Sequence, residues 1–510
     1  MLACLRTAAV FGIEAFPVHV EVDVTFGLPS FTMVGLPDPS VRESRDRVRS
    51  AIRNSGFEFP PHRITVNLAP ADVRKAGSSF DLPIALGILA AAGVVERRQV
   101  DDIVLLGELS LDGGIHATRG VLPIAAAARK EGMAAILLPS GNAVEAAVVS
   151  HLAVMPVDSL ADAVAALNAP DAAIRTITVP ELRPSAHMPD FSEVRGQFLA
   201  RRALEIAAAG GHNLLMVGPP GAGKTMMARR VPGILPPLSF DEALECTAIH
   251  SVCSLLAGGV GLLRERPFRA PHHTVSEVAL VGGGPVPRPG EISLAHHGVL
   301  FLDEMPEFDR RVLEVLRQPL EEGTVTIARA ARTAVFPARF MLIGAMNPCP
   351  CGYLGDPARA CRCTPAEVSR YRARLSGPLR DRIDLVVEVP AVPAATFGDE
   401  VQAEPSEAIR SRVLRARERQ HGRNRMPEAR LNSNLQGRAV WRCCKPEPRA
   451  RHLLQQAVHR LGLSARGYDR VLKVSRTIAD LAGAETVAAE HVGEALHYRS
   501  SDDAREVERL

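Results

Sequence analysis

The sequence predicts an α/β protein in three parts: an N-terminal α/β domain, a central domain with a parallel sheet, and a C-terminal helical domain. Three observations lead to this prediction. The chain has 510 residues, whereas one domain usually holds about 150. Apolar residues make up 46% and charged residues 23%, an ordinary globular composition that excludes a disordered chain or a disulfide scaffold. Apolar runs in the middle of the chain end at glycines or carboxylates, as buried parallel strands often do.

The predicted domains are separated by changes in composition. Residues 1–168 alternate short β-type runs with Ala-rich helical segments, which predicts an α/β domain. Residues 169–190 contain four prolines and are predicted to be a linker. Residues 191–390 form the central domain, and residues 391–510 combine an Arg-rich linker with three helical patterns.

A glycine-rich octet in the central domain predicts a phosphate-binding loop. It follows an apolar run, opens into a helical segment and fits the pattern G-x-x-x-x-G-K-[ST]. Its residues are Gly218, Pro219, Pro220, Gly221, Ala222, Gly223, Lys224 and Thr225. The glycines let backbone N–H groups converge on phosphate oxygens, Lys224 can reach the β- and γ-phosphates, and Thr225 can offer its hydroxyl to Mg²⁺. A plain glycine turn with a solvated lysine would not explain the whole octet.

Two further apolar runs end in polar residues that suit ATP hydrolysis. The run 299–302 ends at Asp303 and Glu304. Asp303 is predicted to hold the Mg²⁺ water shell and Glu304 to polarise the attacking water; the alternative is a core strand followed by a helix-capping acidic pair. The run 340–346 ends at Asn347, whose carboxamide is predicted to orient the same water, although Asn-Pro is first of all a turn signal.

Five segments together resemble the magnesium-chelatase-like AAA+ ATPases of the ComM/YifB family. The segments are GPPGAGKT, RPFRAPHHT, GGGPVPRPGEISLAHHGVLFLDE, GAMNPCPCG and SGPLRDRID, and the resemblance covers almost the entire chain. It implies an AAA+ ring, usually hexameric, with ATP between subunits, an arginine supplied by the neighbour, and the C-terminal helices as a lid. ComM-type members are linked to DNA branch migration during natural transformation, whereas the chelatase subunit that they resemble drives metal insertion into a porphyrin.

The resemblance assigns roles position by position. Lys224 and Thr225 match the Walker A pair, Asp303 and Glu304 match the Walker B pair, and Asn347 matches the first sensor. These roles agree with those that the residue types indicate.

Arginines are expected to complete the site. Arg382 matches the arginine given to a neighbouring subunit, but Arg380 stands where similar proteins carry an aliphatic residue, so both are candidates. Arg466 is the candidate second sensor, with Arg470 as its rival. A guanidinium at these places can neutralise charge on the γ-phosphate. For each of them a solvated surface arginine is the alternative.

The N-terminal domain resembles the proteolytic domain of Lon around residues 75–81, where Ser79 falls near the nucleophile of that family. A Ser-Lys hydrolase also needs a lysine that takes the serine proton. The aligned segment offers Arg119 instead, which does not deprotonate. We therefore expect a non-proteolytic scaffold, DNA guide or assembly platform. A protease would need a lysine from elsewhere, such as Lys75.

Four cysteines in one loop form a candidate Zn²⁺ site: Cys349, Cys351, Cys361 and Cys363. Four thiolates suit tetrahedral Zn²⁺, which would be structural here. Only one residue separates the members of each pair, whereas two is usual, so four reduced loop thiols are an equal alternative. The pairs His272-His273 and His296-His297 are expected to be surface or loop histidines, because neighbours in an extended chain point to opposite faces.

Two basic stretches are candidates for DNA contact. The segment 409–430 carries eight arginines, of which Arg415, Arg417 and Arg419 are the chosen candidates. A solvated helix face or an intersubunit ion-pair surface is an equal alternative. The segment 324–335 alternates like a hairpin, with Arg329 and Arg332 near its turn. In related AAA+ rings an insertion at this place points into the pore.

The sequence therefore predicts an oligomeric, Mg²⁺-dependent ATPase that moves branched or single-stranded DNA, and the resemblance implies a hexamer. A chelatase-type motor that acts on a protein or metal-insertion partner is the alternative, and a nucleotide-dependent assembly factor is a third class. No apolar run reaches the ~20 residues that cross a bilayer, so no membrane partner is expected. The nine cysteines are not spaced as a disulfide framework, which favours a cytoplasmic location.

Overall fold

The structure, a computed structural model, describes residues 1–71, 75, 77–96, 101–178, 189–256, 261–284, 287–328, 333–356, 359–391, 403–423 and 431–499. Within these ranges no helix combines the length and the apolar character that crossing a bilayer requires. The mixed α/β class that the sequence predicts is confirmed, with parallel strands in both large sheets.

The N-terminal part is built on a seven-stranded mixed sheet with the strand order β3-β4-β2-β1-β5-β8-β9. The strands of this part, including the small pair β6 and β7, are β1 Leu2–Phe11, β2 Glu14–Thr25, β3 Ser30–Val34, β4 Arg63–Ala69, β5 Ile103–Leu105, β6 Glu108–Leu109, β7 Ile115–His116, β8 Ala135–Pro139 and β9 Ala153–Val157. The helices are α1 Pro39–Asn54, α2 Asp81–Ala91, α3 Val121–Lys130, α4 Ala143–Ala146, α5 Leu160–Asn168 and α6 Pro170–Ala173. The predicted linker therefore begins with one helical turn, because Pro170 is suited to the first position of a helix.

Helix α2 fills the centre of the N-terminal domain. All eleven of its residues are buried, which explains why its sequence is apolar without a helical period. Asp81, the first residue of α2, is the one charged residue of this helix. Its carboxylate accepts hydrogen bonds from Arg47 (Nε, 2.7 Å) and from the hydroxyl of Ser44, so the buried charge is paired.

The central part is built on a parallel five-stranded sheet with the order β11-β14-β17-β10-β18. Its strands and two hairpins are β10 Leu214–Val217, β11 Phe268–Arg269, β12 Gly282–Gly283, β13 Arg288–Pro289, β14 Val299–Leu302, β15 Thr324–Ala328, β16 Thr333–Pro337, β17 Met341–Met346 and β18 Leu385–Glu388. The helices are α7 Phe198–Gly210, α8 Lys224–Ala228, α9 Val231–Ile234, α10 Phe240–Val252, α11 Glu277–Val281, α12 Glu291–Leu294, α13 Arg310–Glu314, α14 Arg317–Glu322, α15 Pro365–Arg372 and α16 Gly377–Arg380. Strands β14 and β17 are buried along their whole length because both faces of the sheet are covered.

The C-terminal part is helical and packs against α7. Its helices are α17 Ser406–Arg423, α18 Arg438–Cys443, α19 Pro448–Leu461, α20 Ala465–Ala482 and α21 Ala489–His497. The apolar faces of these helices join the same core as α7 and one face of the central sheet. A polar contact reinforces this packing, because His212 after α7 bonds Thr477 on α20 (Nε2 to Oγ1, 2.8 Å).

Among the described residues, the N-terminal domain contacts the central domain at two places. At the tip of the β1–β2 hairpin, Phe11 and Ile13 pack on the core that contains Phe336 of β16. On α4, the buried Glu145 accepts a hydrogen bond from the hydroxyl of Ser251 on α10. The second contact lies beside Gly120, whose N–H bonds the Ser251 carbonyl (3.4 Å). The segment aligned with the Lon lysine is therefore part of a domain contact.

Candidate active site

The phosphate-binding loop joins β10 to α8, as its sequence predicts. Gly221 and Gly223 have φ values of 78° and 88°, a left-handed conformation that side chains disfavour. The ammonium group of Lys224 lies inside the loop. It donates hydrogen bonds to the carbonyls of Gly218 (2.6 Å) and Pro219 (2.9 Å). Burial lowers the pKa of Lys224, because the charged form loses contact with water. A bound anion would stabilise the charged ammonium group.

Thr225 and Asp303 meet at the carboxyl edge of the sheet. The Thr225 hydroxyl donates to Asp303 Oδ2 at 2.5 Å, although strand β17 lies between the strands that precede these residues. A hydroxyl and a carboxylate at hydrogen-bond distance are hard oxygen donors, and this chemistry fits Mg²⁺. The two residues that the sequence assigns to the metal are thus brought together.

Glu304 follows Asp303 in an unusual backbone conformation. Its φ is 49°, which is costly for a residue other than glycine and occurs mostly at functional sites. The side chain is 57% exposed, and its Oε2 lies 3.8 Å from Nδ1 of His273. The sequence offered no pattern for this contact, because His273 was expected to be a surface or loop residue.

Asn347 closes the site at the end of β17. Its Oδ1 lies 3.3 Å from Nζ of Lys224, which donates to it. The Tyr371 hydroxyl is hydrogen-bonded to the backbone of Asn347, and burial raises the pKa of Tyr371 to about 12. Tyr371 is therefore a neutral hydroxyl at neutral pH that holds the Asn347 backbone. Sequence reasoning missed it, since it lies on α15, beyond the cysteine loop.

Gln197 is a second residue that the sequence analysis missed. Its side-chain amide donates to the carbonyl of Ala222 (3.2 Å) in the phosphate-binding loop and to that of Pro390 (2.7 Å) beyond β18. It therefore fastens the loop to the neighbouring strand. A signal was present, because Gly196-Gln197 stands just before the helix that leads into β10.

Arg382 lies at the opposite, amino edge of the sheet. Its carbonyl accepts from Asn213 Nδ2 (2.9 Å), and Asn213 immediately precedes β10. The four residues of β10 put about 13 Å between this edge and the phosphate-binding loop. The Arg382 guanidinium is bonded to Glu321 on α14 and to the Pro378 carbonyl, while its buried Nε has no hydrogen-bond partner among the described residues.

The other three candidate arginines occupy different surroundings. Arg470 lies near the same amino edge, with Nε 3.5 Å from Asp384 Oδ1. Arg466, one helical turn earlier on α20, is exposed. Arg380 lines a small cavity at the carboxyl ends of β10, β17 and β18, together with Glu388. The structure thus separates Arg380 from Arg382, although only one residue stands between them.

The four loop cysteines converge. All four sulfurs lie within 4.8 Å of one another. The Sγ atom of Cys349 is 3.4 Å from that of Cys351 and 3.6 Å from that of Cys361, and the backbone N–H of Cys351 points at Cys363 Sγ (3.4 Å). A tetrahedral Zn²⁺ with Zn–S bonds of about 2.3 Å needs sulfurs about 3.8 Å apart. The donor set therefore fits Zn²⁺ despite the short sequence spacing.

The histidine pair 296–297 departs from the sequence expectation. His297 has a φ of 54°, so the chain is not extended and both Nε2 atoms meet Glu245 Oε2, at 2.8 and 2.9 Å. His296 is buried, which lowers its pKa to about 4. Its Nδ1 accepts the backbone N–H of Arg339, so the neutral ring carries its proton on Nε2 and donates it to Glu245. That nitrogen has no lone pair for a metal, and the group is a structural hydrogen-bond cluster.

The Arg-rich segment is largely structural where it is described. Arg417 is half-buried and donates two hydrogen bonds to the Ala208 carbonyl at the end of α7 (2.6 and 3.0 Å). It is therefore not a free phosphate contact, and its assignment as a DNA candidate is corrected. Arg415 and Arg419 are exposed. Arg329 and Arg332 lie outside the described residues.

The protease alternative finds no support in the surroundings of Lys75. This lysine is buried, and its Nζ donates to the Pro70 carbonyl. The neighbouring Ser78 hydroxyl donates to Glu108. Lys75 therefore holds a loop, and no contact between Lys75 and Ser79 is among those of the described residues.

Comparisons with known proteins agree with this architecture. Residues 190–397 match the family described as magnesium chelatase, subunit ChlI; residues 20–142 match subunit ChlI of Mg-chelatase; and residues 403–499 match the ChlI C-terminal family. The chain is 45% identical to the uncharacterized protein YifB of Salmonella typhimurium and to the competence protein ComM of Haemophilus influenzae, in each case over 98% of this chain and 97% of the relative. It is also 30% identical to the Lon protease of Chloroflexus aurantiacus, over 32% of this chain and 21% of the protease.

Proposed function

The chain belongs to the magnesium-chelatase-like AAA+ family of ComM and YifB, and we propose that it is a ring-forming, Mg²⁺-dependent ATPase that moves branched or single-stranded DNA. One observation carries the ATPase assignment: at one edge of the sheet Lys224 donates a hydrogen bond to Asn347, and the adjacent Thr225 donates one to Asp303. The predicted catalytic Glu304 projects from the same edge.

Each residue of this site has a task that its geometry supports. Lys224 would bind the phosphates in place of the loop carbonyls, and Thr225 and Asp303 would hold Mg²⁺, which would supply positive charge for the leaving phosphates. Glu304 accepts the proton of the attacking water, and Asn347 orients that water. His273 and Tyr371 position Glu304 and Asn347.

The location of Arg382 supports a ring. An arginine at the amino edge is too far from the phosphate-binding loop of its own subunit, so a phosphate contact requires a neighbouring copy. The family's usual ring is a hexamer, and we adopt that stoichiometry. Arg466, which is exposed on α20, remains the proposed second sensor.

Two observations support the DNA role: the similarity to a competence protein and the exposed arginines of this chain. The relative from Haemophilus influenzae is a competence protein by name, and branch migration during natural transformation is the corresponding role for this chain. Arg415 and Arg419 on α17, with Arg329 and Arg332 of the hairpin segment, are the proposed DNA contacts. A cytoplasmic location is part of the proposal, because the nine cysteines are not spaced as a disulfide framework. The chelatase matches favour the second candidate, a motor that acts on a protein or metal-insertion partner.

Turnover in the presence of DNA tests the DNA role. We expect forked or four-way DNA to raise the ATPase rate, and we expect Arg415→Gln with Arg419→Gln to weaken DNA binding and lower the salt slope by about one unit per arginine. Arg417→Gln is the matched control, because it should lower the melting temperature instead of the salt slope. An ATPase rate that ignores every DNA structure would favour the chelatase-type candidate.

We further propose that the four loop cysteines hold one structural Zn²⁺ that braces the active site. The loop touches the phosphate-binding loop, since a Cβ on Gly352 would lie 2.7 Å from Cδ of Pro220. The same loop follows directly on Asn347. A metal that fixes the cysteines would therefore fix the distance between Asn347 and Lys224.

Metal content and ATPase activity together test the zinc proposal. We expect about one zinc ion per chain in protein purified without chelators. Cys361→Ser should lose the metal and lower the ATPase rate, whereas Cys253→Ser, outside the loop, should change neither. Protein that contains no zinc, and whose ATPase rate is unaffected by Cys361→Ser, would contradict the proposal.

A further inference from the structure

The single tryptophan of the chain lies on the surface of the helical lid. Trp441 on α18 is 59% exposed, although its neighbours Val440 and Cys443 are buried in the lid core. Tryptophan is usually highly buried. Its exposure here means that α18 turns its largest apolar side chain outward.

A second aromatic ring lies beside Trp441. The ring of Tyr468, on the first turn of α20, has its centroid 5.9 Å from that of Trp441, with 31° between the ring planes. The two side chains form a tilted aromatic pair that spans two helices. Exposed aromatic ring faces are apolar surfaces on which planar ligands can stack.

Several arginines lie close to this pair in the lid. Arg438 and Arg442, one turn before and one residue after Trp441, are both exposed. Burial raises the pKa of Tyr468, and the nearby Arg451 opposes that rise. Two acids lie nearby: Asp469 follows Tyr468 on α20 and also raises its pKa, and Glu447 accepts a hydrogen bond from the Thr486 hydroxyl. Aromatic rings amid arginines are the combination that binds single-stranded nucleic acid, through stacked bases and paired phosphates.

We propose that the surface formed by Arg438, Trp441, Arg442, Arg451 and Tyr468 binds single-stranded DNA, with bases stacked on Trp441 and Tyr468 and phosphates held by the arginines. The proposal rests on the proposed DNA function and places one contact of the displaced strand on the lid. Duplex DNA fits this surface less well, because its base faces are covered by the neighbouring base pairs. The lid helices join the core of α7, so strand binding here and the nucleotide site share one packed unit.

Intrinsic fluorescence tests this surface without a label, because all tryptophan emission of the protein comes from Trp441. Single-stranded oligothymidylate is added to the full chain with a non-hydrolysable ATP analogue, and binding is followed in parallel by anisotropy of a labelled copy. We expect the emission to be quenched with the same Kd as the anisotropy, and duplex DNA to quench it less.

Variants separate stacking from other effects. Trp441→Ala should raise the Kd for the single strand by about 5- to 150-fold, and Trp441→Phe should recover most of the affinity. Phe26→Ala is the matched control, since Phe26 is 92% exposed in the N-terminal domain and should leave the Kd unchanged. Particle mass by light scattering should be the same for all variants.

Three outcomes would overturn the proposal, each in a different way. Single-stranded DNA could bind without quenching the emission and with the same Kd for wild type and Trp441→Ala. In that case the proposed lid surface is not the binding site, and the DNA function stands. If wild-type protein binds no DNA, the DNA function itself fails. If Trp441→Ala changes the particle mass, Trp441 belongs to a contact between copies of the chain.

Discussion

Glu304→Gln is expected to leave ATP binding intact and to slow hydrolysis by about 10²- to 10⁴-fold, the usual contribution of a general base. The exchange keeps the size of the side chain and removes only its ability to accept the water proton. The carboxylate is placed beside His273 by an unfavourable backbone conformation.

Nucleotide binding and single-turnover hydrolysis measure the two effects separately. Lys224→Ala is the companion variant and should abolish binding, since Lys224 is the ammonium group buried in the phosphate-binding loop. Normal turnover in Glu304→Gln would remove Glu304 from the chemistry. Loss of nucleotide binding in the same variant would mean that it acts in binding instead.

Arg382→Ala is expected to reduce the ATPase rate by about 10³- to 10⁵-fold, the range measured for arginines that stabilise phosphoryl transfer. In the single chain the guanidinium is paired with Glu321, and its buried Nε lacks a partner among the described residues. An arginine held in this incompletely satisfied way can exchange Glu321 for the phosphate of a neighbour. Binding of nucleotide should be little changed.

Arg380→Ala provides the matched control for Arg382→Ala. Arg380 lines a cavity of its own subunit with Glu388, so its removal should cost far less activity. A loss confined to Arg380→Ala would reverse the two assignments. Measurements belong at protein concentrations where rings persist, because dilution would imitate the loss of an arginine from the neighbour.

The sequence was sufficient to predict which residues meet at the proposed nucleotide site. Gly223, Lys224 and Thr225 act through a short stretch of chain, and runs of apolar residues place Asp303 and Asn347 at the ends of strands. Parallel strands bring such ends to one edge, so the residues that sequence reasoning selected are those that the structure joins. At this site the residues selected from short sequence patterns are also neighbours in the folded chain.

Contacts between distant segments were not predictable in this way. Arg417 looked like its exposed neighbours in the sequence, but its guanidinium caps α7, some two hundred residues earlier. His296 and His297 converge on Glu245 because of one left-handed residue, which the sequence did not signal. Trp441 is exposed because the six-residue helix α18 buries Val440 and Cys443 instead. Each depends on how helices pack and not on local composition.

The central claim is that each ATP is hydrolysed between two copies of the chain. Mixing Glu304→Gln protein with Arg382→Ala protein in equal amounts, under conditions where rings form, tests it most directly. An Arg382→Ala subunit next to a Glu304→Gln subunit has an intact Glu304 and an intact neighbouring Arg382, so the mixture should regain up to about a quarter of the wild-type rate by random assembly. Mixed rings that stay as inactive as the separate variants, or monomers that hydrolyse ATP at the full rate, would contradict the account.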